Sequence, residues 1–219
     1  MLKNVSYEQL FFNEKCILDN GLVDKVKICL CDSRRVHHAR IAGSIIFAGV
    51  AQFLILLSVA ESVYPNYSVH YNYISDLGVG VTAPIFNTSV FLLGALIALS
   101  SVFIYAEFKK KPITLTVLLS GVGAAGVGLF PETTGAIHGY LALVAFLFSG
   151  LSAIISVSVI RQTPLRVYSV VLGLVTIASL FLYASGHYYA LGRGGMERLI
   201  VYPSLIWALG FSGSLLGSS

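Results

Sequence analysis

The chain has 219 residues, 56% of them hydrophobic and only 11% charged, with a formal net charge of +4 and a mean hydropathy of +0.83. A soluble domain carries about 25% charged residues and must cover itself with polar surface, so this composition excludes that class and indicates an integral membrane protein. The length suffices for one helical bundle without a second large domain. The basic residues are divided among short segments, which argues against a nucleic-acid-binding surface.

Residues 1–40 are mixed in charge and lack the long apolar run of a signal peptide. They are read as a cytoplasmic N-terminal segment, in which Tyr7–Phe12 and Val23–Leu30 suit short amphipathic pieces on the inner surface. A second reading stays open, in which translation starts further downstream and residues 1–35 are not made. Cys16, Cys29 and Cys31 fall here. Cys-x-Cys with one distant cysteine is a weak metal pattern, and reduced cytosolic thiols are the simpler expectation. Arg34-Arg-Val-His-His-Ala-Arg40 fits a topology anchor against anionic lipid head groups.

The transmembrane domain occupies 41–217. Apolar runs of roughly 18 residues or more can cross the hydrocarbon layer. Six occur, approximately Ile41–Val63, Val81–Phe108, Ile113–Phe130, Gly139–Ile160, Val167–Gly186 and Leu199–Gly217. The fold class expected is therefore all-α, a polytopic bundle of six transmembrane helices. The third span holds Gly121, Gly123, Gly126 and Gly128, small residues that let helices approach closely in lipid, and it is expected to be a tightly packed central span.

Charge sets the expected orientation. Of the 14 Lys and Arg residues, all but Arg193 and Arg198 lie before the first span, in Lys109–Lys111, or at Arg161 and Arg166, which are same-side segments. The positive-inside rule then places both termini in the cytoplasm of a cell-membrane protein. The outer segments, with the helix ends beside them, collect Glu61, Asp76, Glu132, Glu197, His70, His138 and His187.

Each polar group has a structural and a functional reading. Glu61 suits an interfacial carboxylate. Asp76 suits a helix cap or a tight turn with Gly78. Tyr64, Tyr67, Tyr71 and Tyr73 suit an interfacial aromatic belt, and Tyr73 is also a candidate ligand-binding residue. Asn66-Tyr-Ser68 and Asn87-Thr-Ser89 match a glycosylation pattern that is common by chance. Glu132 and His138 are tethered across a short turn, so they suit either a cap with a hydrogen-bonded histidine or an acid–base pair or half metal site. In Gly192-Arg-Gly-Gly-Met-Glu-Arg198 the glycines suit a tight turn or a close approach to a bound group. Glu197 is expected in the first turn of the last helix, with Tyr202 one turn deeper. Arg193 and Arg198 offer forked donors for phosphate or carboxylate; alternatively Arg198 pairs with Asp76 or Glu132 and locks helices together.

Three strings, Tyr71-Asn-Tyr-Ile-Ser-Asp-Leu-Gly78, Phe130-Pro-Glu132 followed by His138, and Gly195-Met-Glu-Arg-Leu-Ile-Val-Tyr-Pro203 with Trp207, resemble family 998 among the domains of unknown function. Its members are small multi-span archaeal and bacterial membrane proteins. The resemblance covers roughly residues 38–217 and implies a six-helix bundle with polar motifs at one end. It implies no activity.

Three function classes follow. The favoured one is a membrane-embedded accessory or assembly subunit, with membrane lipids and a membrane-protein partner as its company. The alternative is an outer-face enzyme acting on a lipid or isoprenoid-linked head group. Asp76, Glu132, His138 and Glu197 would then be catalytic, and Arg193, Arg198, Tyr202 and Tyr73 would bind ligand. A transporter is disfavoured because mid-span positions are almost wholly apolar, small hydroxyls and Gln52 excepted. Whether the chain is an enzyme stays open, no cofactor is specified, and metal binding is undetermined.

Overall fold

A computed structural model describes the backbone of residues 22–217 and the side chains of residues 37–217. The expected amphipathic piece at Tyr7–Phe12 and Cys16 lie outside the described residues. So do the side chains of Cys29, Cys31, Arg34 and Arg35.

The described residues form six helices and short 3-10 turns, without strands. The helices are α1 (Leu22–Val63), α2 (Ala83–Phe108), α3 (Lys111–Leu129), α4 (Ala136–Ile155), α5 (Thr163–Ala184) and α6 (Gly192–Leu216). Six segments are long and apolar enough to cross a membrane: His37–Val63, Gly80–Phe108, Lys111–Leu129, Ala136–Ser158, Thr163–Ala184 and Tyr189–Leu216. Helix is the required form there, because hydrocarbon supplies no partner for backbone N–H and C=O groups. The chain is an all-α multi-pass bundle of membrane-spanning helices, as expected.

Several helices begin earlier than the apolar runs indicate, since hydropathy ignores the first polar turn. Pro84, Pro112 and Pro164 lie in the first turns of α2, α3 and α5, where a missing N–H costs nothing. The largest shift is in α6. Gly192 turns at φ +70° and opens α6, so Arg193–Arg198 is helix and not outer loop, and Glu197 sits in the second turn.

Each helix packs on its neighbours in sequence, and α6 closes against α1, making a ring. Gly43 near the start of the first span abuts Ser212 and Leu215 near the end of α6, so these segments share one end of the bundle. Lys109–Lys111 lie at that basic end too. The polar end, opposite, carries residues 64–82, 131–135 and 185–191.

The ring is inverted relative to a soluble bundle. Phe181 and Ile55 are 73% and 65% exposed on its outside, as lipid-facing side chains should be. Inside, small residues and hydroxyls join helices. A Cβ on Gly94 of α2 would meet backbone atoms of Gly121, Ala124 and Ala125 in α3, so the two helices touch backbone to backbone. On its other side α3 meets α4 at Gly123, against Ala145. The tight packing expected from its glycines is present, but α3 is not central: it packs on α2 and α4 within the ring, and α6 is the most buried span. Ser204 of α6 bonds Ser149 of α4 at 2.9 Å and Thr176 of α5 at 3.1 Å. Trp207 Nε1 donates to Ser156 Oγ at 3.1 Å.

Candidate functional site

The polar end is closed by the connection between α1 and α2, residues 64–82, which folds inward as a lid. Its two most buried large side chains, Ile74 and Leu77, are 3% and 0% exposed and plug the mouth of the ring. Polar bonds hold its shape. Asn72 Oδ1 accepts from Ser68 N at 3.0 Å, and Asp76 Oδ2 accepts from Asn72 Nδ2 and Tyr73 N, each at 3.0 Å. Tyr67 OH donates to Tyr73 O at 3.1 Å. Asn87 of α2 reaches up to Gly78 O at 3.0 Å.

The lid is fastened to α6 where the glycine-rich stretch begins. Gly194 N donates to His70 O at 3.2 Å, and a Cβ at Gly194 would collide with the carbonyl oxygens of Val69 and Asn72. The glycine therefore permits close approach, as read from the sequence, but the approaching group is the protein's own lid.

Glu197 and Arg198 are adjacent in α6, 7% and 5% exposed, and point to different partners. Arg198 Nη2 donates to Glu61 Oε1 of α1 and to Tyr67 OH, both at 2.5 Å, and Nη1 donates to Gly194 O at 3.0 Å. The guanidinium is thus committed to α1 and the base of the lid. The ion-pair reading of Arg198 holds, with Glu61 in the place expected of Asp76 or Glu132. Desolvation pushes the Tyr67 phenol up to about 12, against the lowering pull of Arg198.

Glu197 faces the other way. Its Oε2 accepts from Ile74 N, and it lines a central cavity of about 130 Å³. Among the described residues no hydrogen bond reaches its Oε1. Around it stand the other acids of the lid and the α3–α4 turn. Glu132, in the 3-10 turn Glu132–Thr134, stands against Asp76 and Ser75 of the lid. Burial, and then the neighbouring Asp76 carboxyl and its charge, hold the Glu132 carboxyl above the usual range.

His138 also lines the cavity, and its Nδ1 lies 2.8 Å from Phe130 O. A carbonyl only accepts, so Nδ1 carries a proton and donates to Phe130 O. The wall below is apolar, from Phe53, Phe86, Leu93, Phe146 and Val201, with Ser149 and Ser204 deeper.

The structure therefore gathers Asp76, Glu132, His138 and Glu197 beneath and within one lid. It leaves the remaining candidates elsewhere. Arg193 is exposed at the rim, Tyr202 is 37% exposed on the outside of α6, and Arg198 is sealed against α1. Tyr73 packs edge-on against Tyr183 with ring centroids 5.9 Å apart, and Tyr183 against Tyr188 at 5.7 Å. Among the described residues no group of three or more His, Cys, Asp and Glu side chains is placed to hold a metal ion.

Sequence reasoning missed Tyr67, Ser75 and the cavity itself. Tyr67 was legible only as one of four interfacial tyrosines. The cavity had no local signal, because it exists only once α6 closes on α1.

Residues 47–213 match the family model described as "Protein of unknown function (DUF998)". No curated protein and no solved structure matches the chain.

Proposed function

The chain belongs to the DUF998 family, and we propose that it is a membrane-embedded accessory protein that holds a small lipophilic molecule in its central cavity, with the polar end facing outward. The observation that carries this reading is the cavity, about 130 Å³, apolar in its walls and bordered by Glu197 and His138 at the lid. An apolar cavity near 150 Å³ stays dry and takes up one benzene, so this one is of a size to bind a group of about six carbons. The outward orientation rests on the concentration of Lys and Arg at the opposite end.

A second reading is an outer-face enzyme acting on a lipid or isoprenoid-linked head group. The neighbouring Asp76 and Glu132 carboxyls favour it, because a carboxyl raised above its usual range is a proton donor nearer neutrality. The arginines do not support the phosphate clamp such an enzyme would want, since Arg198 is bonded to Glu61.

Benzene binding by purified protein, followed as NMR magnetisation transfer from protein to ligand above the detergent background, separates the readings. Wild type is expected to transfer and Val201→Phe, which fills the cavity, to lose the signal while staying folded. Equal transfer in both would place benzene in the micelle and remove the binding proposal.

A further inference from the structure

The ligand class follows from which charges the cavity can feel, and it rests on the binding reading above. Both arginines near the polar end are turned away or spent. Arg198 is paired with Glu61 on the far side of α6, and Arg193 is exposed at the rim. What borders the chamber is acidic or accepting. Glu197 is buried, lines the cavity and keeps Oε1 without a hydrogen bond among the described residues. Asp76 and Glu132 stand together just above it, close enough for their charges to act on Glu197.

An anion entering this mouth would meet three carboxyl groups, and no Lys or Arg is among the described residues of the wall. A cation would meet its counter-charge at the end of an apolar chamber, where low dielectric strengthens the attraction.

We propose that the cavity binds a small amphipathic amine, its apolar group of about six carbons among Phe53, Phe86 and Val201 and its ammonium against Glu197 beneath the lid. The chamber is too small to enclose the paired acyl chains of an aminolipid, which favours a free small molecule.

Three probes that differ only in the polar group test this: benzylammonium, benzyl alcohol and phenylacetate, titrated by the same NMR transfer with Val201→Phe as background. Benzylammonium is expected to bind at least tenfold tighter than phenylacetate, with benzyl alcohol between. Glu197→Gln keeps a carbonyl acceptor for Ile74 N, and it should bring benzylammonium down to the level of the alcohol. Glu132→Gln, which does not anchor α6, should weaken benzylammonium alone by a smaller factor.

Equal binding of all three probes, or preference for phenylacetate, overturns the amine assignment and leaves the cavity reading standing. Absence of any binding, by these probes and by benzene, removes both. Loss of benzylammonium binding on moving the protein from phosphatidylcholine to phosphatidylethanolamine bilayers would identify a lipid head group as the occupant and overturn the small-amine proposal.

Discussion

Replacing Arg198 with leucine strands Glu61 at the membrane boundary without its counter-charge. Breaking one side of a buried pair costs about 3–5 kcal/mol, and Glu61, with a side chain 24% exposed, belongs at the lower end of that range. Thermal unfolding in detergent should show the loss. Arg198→Lys should recover only part of it, since a single ammonium cannot reach Glu61, Tyr67 and Gly194 together. The double variant Glu61→Leu with Arg198→Leu should be more stable than Arg198→Leu alone; if it is less stable, the pair is not what holds α6 to α1. Glu132 gives a prediction in pH. Its carboxyl is raised above the ordinary 4.5 in the folded state, so the folded protein takes up that proton more readily than the unfolded chain. The resulting stability is complete below about pH 4.5 and is lost as pH rises through the raised value. Acidification from neutrality should therefore raise the melting temperature by way of this group, and Glu132→Gln should flatten that slope. An unchanged slope would show that folding does not raise this carboxyl. At this scale the sequence exposed which groups matter but not their pairing. Arg198 and Glu61 lie in helices at opposite ends of the chain, and no spacing rule links them.

Elements were more legible than contacts. A run of apolar residues long enough to cross a bilayer is almost forced to be helical, which is why all six spans could be read from hydropathy. The four glycines of α3 pointed correctly to close packing. Gly192–Gly195 does both things read for it: Gly192 turns at φ +70° and Gly194 lets another segment approach closely. That the approaching segment is the lid is a tertiary fact. The α2–α3 contact is the sharpest test at this scale. A valine at Gly94 would press on α3 backbone, which cannot rotate away, so the cost should reach or exceed the ~3 kcal/mol at the top of the usual overpacking range. Gly94→Val should aggregate or elute as a broadened species on size exclusion, whereas Gly213→Val, at a glycine with open space around it, should behave as wild type. Similar profiles for the two would mean that α2 and α3 do not meet backbone to backbone.

For the molecule as a whole, the ring joins three features that are distant in sequence: a lid over its polar end, carboxyl groups beneath the lid, and an apolar chamber below them. The gathering of acids and histidines was visible as a one-sided distribution along the chain; the chamber was not, because cavities are products of closure and leave no periodicity. The proposed orientation is testable separately. Single cysteines at Asn66 and Lys111 in intact cells should react with an impermeant thiol reagent at Asn66 only, and the reverse pattern would invert the topology. The claim on which the functional account turns is that lid, carboxyl cluster and cavity form one site open to small molecules at the polar end. Its most direct measurement is the rate at which a small thiol reagent modifies Ser75→Cys, with Cys16, Cys29 and Cys31 replaced by serine. Ser75 is 8% exposed, lies in the lid and lines the cavity. Saturating benzylammonium is expected to slow that reaction severalfold, and to have no such effect once Val201→Phe has filled the chamber. A rate indifferent to the amine in the unfilled protein would contradict the account.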